Sequence, residues 1–466
     1  MGCDIMEHGS NGFPESLNRG YERRKCVNRN IACVIAAVVV SANVLLAQQG
    51  FSKITPVFPA PCAVGVPKYV SVQEAWDNGV DTTPYTPQKD TIGTRARGIV
   101  KQCAESFGGV SHRSWQQLDL ARVQLALDRD VEAKATVDQY LKTLSTAPVA
   151  QRAWATLLVV RDYLTVSPLR LSEAQAAVAQ LDALGSAAMG YRFRARDALA
   201  DAARWQGNDA LVEQVYDSIL VQWKRLSRSE AEKWHAFAGI AYLGKAEIAQ
   251  RVRTIAEARR IMDTAKAVLP QSNFRGDYVD PMWRFYHEVL GKPAPPMTAT
   301  WWFGAPDSGK ISRPRKGVVT LISVGSEWSS ANQMRGYGRL GRRFGDQFEL
   351  IIVNNTQGWV RDTAPVLPKD EAEYRYKELQ RLFQLPGVMG VYETEYDWLK
   401  DGRRSDRSVP QLNIYQNLIL VDKQGIVRYV FMPPPNPWPI KTRPDWQWED
   451  AIAQKIAQLI AEENKS

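Results

Sequence analysis

The spacing of apolar residues changes once along the chain, near residue 291. Between residues 112 and 290, apolar side chains recur every three or four positions, which is the period of an amphipathic α-helix. Beyond residue 291 they form short runs, such as VVTLISV at 318–324, that alternate with helical stretches. This change of period predicts an all-α domain at residues 110–290, followed by an α/β domain at residues 291–466.

Turn residues divide the helical domain into units. In residues 118–144 a break at Asp128–Asp130 separates two amphipathic pieces, which predicts a helical hairpin. Paired helices stacked in series are typical of an α-solenoid, and the first pair loosely resembles a tetratricopeptide repeat. No regular repeat length is present, so an irregular helical bundle is the alternative. Further helices are predicted at 150–163, 171–184, 191–205, 208–225, 229–243 and 248–268.

The elements after residue 291 follow the order βαβα and then ββα. This order predicts a mixed sheet of parallel and antiparallel strands with helices on both faces. The segment GKPAPP at 291–296 is interpreted as a linker, and residues 356–410 as an insertion. The predicted elements are strands at 318–324 and 348–355, a hairpin at 417–432, and helices at 329–344, 369–383 and 448–464.

Three stretches of this domain carry a family resemblance. They are GKPAPP, KGVVTLISVGSEWSSANQ at 316–333 and NLILVDKQGIVRYVF at 417–431. In this order, residues 291–464 resemble the thioredoxin-like superfamily, and in particular its extracytoplasmic TlpA-like disulfide reductases. The resemblance implies a thioredoxin fold. Its active site would hold two cysteines at the start of the helix that follows the first long strand, with a cis-proline nearby.

This chain departs from that active site at three positions. It keeps Trp328, but Ser329 and Asn332 stand where the family has its cysteines, and Gln416 stands where it has the cis-proline. A dithiol enzyme attacks with a thiolate and resolves the mixed disulfide with a second thiol, and neither serine nor asparagine can do this. The resemblance therefore predicts a redox-inactive domain, with no catalytic residue assigned.

Ser329 has three possible roles. Serine is a preferred N-cap, so the first interpretation is that it caps the helix that follows. The second is a polar pocket that binds a partner or a small anion at the helix N-terminus. The third is a serine nucleophile, which would need a histidine base. The four histidines stand at 8, 112, 235 and 287, and none of them lies in this domain.

Bulk composition narrows the classes of partner. The chain has 466 residues, and this length predicts two or three domains. Its net charge is +9. There is no long basic run and no nucleic-acid motif, so a nucleic-acid partner is not expected. The histidines are too widely spaced for a short-range metal-ligand pair, and we expect neither a metal nor a cofactor.

Residues 1–47 are interpreted as a targeting segment. A polar stretch containing Arg23, Arg24 and Lys25 precedes the apolar run at 31–47. The segment is a cleaved signal peptide or an uncleaved N-terminal anchor, and a buried core helix is the third alternative. Both leading interpretations place the rest of the chain outside the cytoplasm, in the periplasm or secreted. Contact with a membrane would then occur only through this segment.

Of the five cysteines, only Cys62 and Cys103 lie beyond the targeting segment. Both stand in a Pro-rich lead-in that we assign to residues 48–109. In an oxidising compartment, two such cysteines predict a structural disulfide, and a redox pair or two free thiols are the alternatives. Closing a loop of about 40 residues would stabilise the fold by roughly 3–4 kcal/mol.

The Pro-rich segment 432–448 offers a candidate partner surface at Trp438, Trp446 and Trp448. The alternative is a loop that packs back over the domain. Together these observations predict an extracytoplasmic binding or scaffold protein that holds a protein partner. The alternative function is a thiol–disulfide oxidoreductase or disulfide chaperone of the TlpA-like kind that uses Cys62 or Cys103.

Overall fold

The computed structural model describes most of the chain from residue 130 onwards. The described residues are 130–142, 148–164, 169–272, 274–304, 311–312, 314–324, 331–355, 367–385, 387–392, 417–432 and 449–462, together with Ala121 and Gln124. The predicted targeting segment and lead-in, residues 1–47 and 48–109, lie outside them. Among the helices described, none is both long and apolar enough to cross a bilayer.

The helical part consists of helices that each pack against the next one along the chain. Alternate helices also meet, α2 with α4 and α4 with α6. A 3₁₀ turn at Ser186–Ala188 precedes α4, and a π-helical turn at Arg275–Val279 precedes α8. The helices are α1 (Asp130–Lys142), α2 (Val149–Tyr163), α3 (Leu171–Asp182), α4 (Met189–Trp205), α5 (Asp209–Lys224), α6 (Arg228–Val252), α7 (Ile255–Val268) and α8 (Asp280–Glu288).

Three helix starts are fixed by side-chain caps. The side chains of Asn208, Ser227 and Thr254 each accept a hydrogen bond from the backbone N–H three residues further on. Such caps satisfy amides that have no partner within the helix. The predicted all-α character is confirmed, whereas the tetratricopeptide-like repeat stays a prediction.

One predicted helix boundary is wrong. We expected separate helices at 229–243 and 248–268, but α6 runs without interruption to Val252, and the break falls at Thr254. Gly244 lies inside α6 because the ring of Tyr216 from α5 crosses there. A β-carbon on Gly244 would come within 2.1 Å of that ring. The glycine therefore marks a close helix crossing and not a helix end.

The second part is a six-stranded mixed sheet with the order β2-β6-β5-β4-β7-β8. Strands β4, β5 and β6 are parallel, whereas β2, β7 and β8 pair antiparallel with their neighbours. A small two-stranded sheet of β1 and β3 stands beside it. The strands are β1 (Met297–Thr298), β2 (Trp301–Phe303), β3 (Ile311–Ser312), β4 (Val319–Val324), β5 (Phe348–Asn355), β6 (Val388–Tyr392), β7 (Asn417–Val421) and β8 (Val427–Phe431).

The helices of this part are α9 (Ala331–Phe344), α10 (Pro368–Phe383) and α11 (Asp450–Glu462). The elements predicted as βαβα and then ββα are all present, but the unpredicted strand β6 stands between α10 and the β7–β8 hairpin. Strand β6 lies within the stretch that we interpreted as an insertion, and it extends the parallel part of the sheet.

The two faces of the sheet are covered by helices from different parts of the chain. Because β4, β5 and β6 follow one another in a single direction, right-handed crossovers put α9 and α10 on the same face. The residues Leu321, Leu350 and Leu420 pack on that face against α9, α10 and α11. Alternate residues of the same strands, such as Ile322, Ile351 and Ile419, instead belong to the core of the helical part.

The prediction of helices on both faces thus holds, but the second layer comes from the helical domain. Helix α6 contacts β8 directly. Every residue of the strands β4 and β7 is buried, as expected for strands that are covered on both faces.

The segment interpreted as a linker is attached to the sheet. The backbone N–H of Gly291 donates to the carbonyl of Val427 at 2.8 Å, and that of Ala294 donates to Gly425 at 2.8 Å. Pro293 also forms a bridge with Ile426. The passage from the helical part to the sheet is therefore held against the β7–β8 hairpin by backbone hydrogen bonds.

Candidate functional site

The carboxyl ends of the parallel strands form the edge where a ligand site is expected in an α/β sheet. Strand β4 ends at Val324 and α9 begins at Ala331; strand β5 ends at Asn355 and α10 begins at Pro368. Both helices therefore start at this carboxyl edge. Strand β8 runs parallel to β4, since each pairs antiparallel with β7, so β8 also ends here.

Polar side chains lie just beneath this edge, on the face that α9 covers. The hydroxyls of Ser323 on β4 and Tyr337 on α9 are 2.6 Å apart and buried. Asn354 is buried on the same face of β5, two residues beyond Ile352, which pairs with Ser323. Asn417, at the start of β7, is also buried, but it lies on the other face of the sheet, because it pairs with Val324 of the core that the helical part shares.

A buried ion pair lies in the first turns of α10. Glu371 has 0% of its side chain exposed, and its Oε1 accepts a hydrogen bond from Nε of Arg375 at 2.9 Å. A carboxylate in such a place is tolerated only with a bonded partner, because desolvation strongly disfavours an isolated charge. The sequence signal for this pair was the spacing of four between an acid and a base on a helix.

The residues predicted for the degenerate active site are only partly described. Asn332 falls in the first turn of α9. Trp328, Ser329 and Gln416 lie outside the described residues, so the N-cap, pocket and nucleophile interpretations of Ser329 all stay predictions.

The other predicted site residues lie outside the described part as well. These are the candidate disulfide partners Cys62 and Cys103, and the candidate partner surface of Trp438, Trp446 and Trp448.

A second polar cluster, which sequence reasoning missed, joins α6 to the end of β8. We name it the α6–β8 seam, formed by Glu247, Gln250, Val430 and Met432. The backbone N–H of Met432 donates to Oε2 of Glu247 at 2.9 Å, and the N–H of Val430 donates to Oε1 of Gln250 at 3.2 Å. The amide Nε2 of Gln250 donates in turn to the carbonyl of Val430.

The seam continues into a buried ionic network of the helical part. Nη1 of Arg204 on α4 donates to Oε2 of Glu247 at 3.1 Å, and both side chains are only 3% exposed. Nη2 of Arg204 donates to Oδ1 of Asp201 at 2.9 Å. Arg251 lies 3.6 Å from Glu247 and donates to Asp209 at 2.7 Å. The helical spacings of Asp201 with Arg204 and of Glu247 with Arg251 are local signals, but no local pattern predicts the bonds that join these pairs to each other and to β8, across 43 and 185 residues.

Two carboxylates at the outer end of this network have unusual pKa values. Burial, together with the charge of Asp201, raises the pKa of Asp197 to about 7. Burial also raises the pKa of Asp201; the nearby Arg204 opposes this shift and Glu247 adds to it. The two residues stand one turn apart on α4, and both are largely, though not fully, shielded from solvent.

The two histidines that the structure describes are both on helices. Nδ1 of His235 lies 2.5 Å from the carbonyl of Glu232, and its ring meets the edge of Phe274. Nε2 of His287 lies 3.1 Å from Oδ1 of Asp263. Within the described ranges, no group of three or more His, Cys, Asp or Glu side chains is arranged to hold a metal ion.

Comparisons with known proteins give partial matches in structure alone. No protein-family model matches the chain, and no curated protein matches it. A solved thioredoxin-like superfamily protein is 14% identical, with a TM-score of 0.24, and the match covers 36% of this chain and 97% of that one. A peroxiredoxin-like protein from Aquifex aeolicus is 16% identical, with a TM-score of 0.23, covering 37% of this chain and 87% of that one.

A thiol-disulfide isomerase from Corynebacterium glutamicum is 12% identical, with a TM-score of 0.25, covering 36% of this chain and 97% of that one. Values this low carry no argument about function. The fold assignment rests instead on the strand order and directions. By that criterion, the sheet with α9, α10 and α11 is a mixed α/β unit, as the resemblance in the sequence implies, and its second face is closed by the helical domain.

Proposed function

We propose that this chain is an extracytoplasmic binding protein, in which a thioredoxin-like unit holds a protein partner and does not exchange disulfides. One observation carries the proposal. In the sequence, Ser329 and Asn332 stand where the resemblance places the two thiols of this fold, and Asn332 falls in the first turn of the helix after β4. The alternative is a TlpA-like oxidoreductase or disulfide chaperone that uses Cys62 or Cys103.

The physical reason is the chemistry of the helix start. The N-terminus of a helix stabilises a thiolate, which is why the fold places its nucleophile there. A serine hydroxyl stays protonated near neutral pH and forms no mixed disulfide, and an asparagine amide cannot resolve one. The helix start is retained, whereas the group that would use it for redox chemistry is absent.

The carboxyl edge is the surface that favours binding. One face of the sheet is covered by α9, α10 and α11, and the other by the helical part, so neither face is open to a partner. The edge carries two helix N-termini and the polar residues Ser323, Asn354 and Asn417. The chain leaves β8 at this edge and enters the segment that contains Trp438, Trp446 and Trp448.

Insulin reduction tests the redox half of the proposal. We expect no turnover from the chain that lacks residues 1–47, and no change in the Cys62→Ser and Cys103→Ser variants. Cysteine-dependent turnover would favour the oxidoreductase instead. As a matched control, the double variant Ser329→Cys/Asn332→Cys restores both thiols to the helix start, and we expect it to form a disulfide that mass spectrometry detects.

Site-specific crosslinking tests the binding half. A photo-crosslinking residue is placed at Trp446 and, in a control variant, at the exposed Val252 at the end of α6. We expect one discrete protein adduct from position 446 in the envelope fraction and none from position 252. Equal labelling from both positions, or no adduct at 446, would contradict a partner surface at this edge.

A further inference from the structure

Lys455 on α11 is a partly buried lysine whose contacts are all with uncharged groups. Its Nζ donates to the carbonyl of Arg251, near the end of α6, at 3.4 Å, and to Oε1 of Gln458 at 3.2 Å. It also lies 5.3 Å from the centroid of the Tyr429 ring on β8. Burial raises the pKa of Tyr429, so its phenol stays neutral near neutral pH. No carboxylate of the described residues lies within ion-pair distance of this amine.

Other lysines on the helices differ from Lys455 in this respect. Nζ of Lys377 on α10 lies 2.6 Å from Oε1 of Glu373, and Lys245 on α6 is paired with Asp217. An adjacent carboxylate stabilises the ammonium form and keeps such an amine protonated near neutral pH. Lys455 lacks this stabilisation, so its amine gives up a proton more readily than the amine of a paired lysine does.

The charged groups around Lys455 are one cation and two carboxylates that already have arginine partners. The guanidinium of Arg251 on α6 disfavours a second positive charge nearby. Asp209 on α5 accepts a hydrogen bond from that guanidinium at 2.7 Å, and Glu462 on α11 lies 3.1 Å from Nη2 of Arg428 on β8. Burial and the charge of Arg251 lower the pKa of Lys455, whereas Asp209 and Glu462 act in the opposite direction.

We propose that Lys455 is a nucleophilic amine and a modification site for activated acyl compounds. A lysine that is partly desolvated and lies beside another cation is the kind that acts as a nucleophile. The neutral nitrogen attacks the acyl carbonyl carbon and forms an amide bond to it. The bond from that carbon to the leaving group breaks, and the leaving group takes the electron pair. The nitrogen passes its extra proton to water.

The amine is accessible, and its acylation has a structural consequence. Lys455 is partly exposed, and Gln454 and Gln458 beside it on α11 are exposed, so a reagent reaches it from solvent. An ammonium has three N–H donors, whereas an acylated amine keeps one and carries no charge. The product can therefore keep only one of the bonds to Arg251 and Gln458. Acylation thus acts on a contact between α11 of the sheet and α6 of the helical part.

Competitive labelling of the full chain with a trace of acetic anhydride tests the proposal. Mass spectrometry measures the acetylation rate at each lysine over a series of pH values. We expect Lys455 to react several-fold faster than Lys377 near neutral pH, and to reach half of its maximal rate at a lower pH. The side chain of Lys377 is 71% exposed, so better access to the reagent would favour Lys377 and not Lys455.

Two variants of α11 separate the effect of charge from that of access. Gln458→Glu places a carboxylate beside the amine at an exposed position, and we expect the rate at Lys455 to fall to that of Lys377. Gln454→Glu is the matched control, because it adds the same charge to the same helix. Adjacent residues of a helix do not face each other, so Lys455 should react there as in wild type.

Equal acetylation rates at Lys455 and Lys377 in the wild-type chain would overturn the proposal. It would also be wrong if Lys455 reacted in Gln458→Glu as it does in wild type, or if both glutamate variants slowed it equally. Circular dichroism verifies that the variants are folded, and Lys377 in the same samples is the internal standard. The comparison within the wild-type chain decides the proposal even if a variant fails to fold.

Discussion

Ser323 and Tyr337 meet in a layer that otherwise consists mainly of apolar side chains. Their hydroxyls are 2.6 Å apart, and both residues are fully buried. A buried hydroxyl that loses its partner costs more than the bond itself contributed, since it has also lost its water. The pair therefore fixes α9 against β4 beneath the carboxyl edge.

We expect Tyr337→Phe to lower the free energy of unfolding by about 1–2 kcal/mol, because the Ser323 hydroxyl would lose this partner. The measurement is urea denaturation followed by circular dichroism. The double variant Ser323→Ala/Tyr337→Phe removes both hydroxyls and should cost less than the two single changes added together. Strict additivity would show that the two hydroxyls do not stabilise each other.

At the scale of elements, the residue pattern predicted whether a segment is a helix or a strand more reliably than it predicted where that element begins and ends. The strand at 348–355 and the hairpin at 417–432 coincide with the observed strands, because long apolar runs and the turn at Asp422–Gly425 are local signals. Strand β6 was missed, since VMGVY is short and contains Gly390. The continuous helix α6 was missed because Gly244 resembles a helix end unless its contact with Tyr216 is known.

Gly244→Ala tests that close crossing. In an exposed helix the change would stabilise the chain by roughly 0.5–1 kcal/mol. Here the new β-carbon would lie 2.1 Å from the Tyr216 ring, and we expect a loss of about 1–3 kcal/mol. Gly276→Ala is the control, since a β-carbon there meets nothing within 4 Å. Equal thermal stability of the two variants would contradict a tight contact between α5 and α6.

At the scale of the whole molecule, the candidate site was only partly predictable. The helix after β4 was predicted from its residue pattern, and Asn332 falls in its first turn. The hydrogen-bond network from Asp201 to Met432 could not be predicted from the sequence, since tertiary packing joins residues that are far apart in the chain. The same holds for the closure of one sheet face by helices of the other domain.

That closure makes the α/β part dependent on the helical part. We expect the isolated fragment 291–466 to expose an apolar face, to bind a hydrophobic dye and to self-associate in light scattering. The chain from residue 110 onwards should remain free of dye binding under the same conditions. A monomeric fragment that binds no dye and unfolds cooperatively would refute this dependence. The residues exposed would be Ile322, Val324, Ile351, Val353, Ile419 and Val421.

The side chain of Gln250 has a consequence for solubility. Strand β8 is the last strand of the sheet, and its outward backbone groups would otherwise be free to template a strand from another molecule. Gln250 bonds both the N–H and the carbonyl of Val430, as a neighbouring strand would, and Glu247 occupies the N–H of Met432. Two side chains one turn apart on a helix thus terminate the sheet and protect it from edge-to-edge polymerisation.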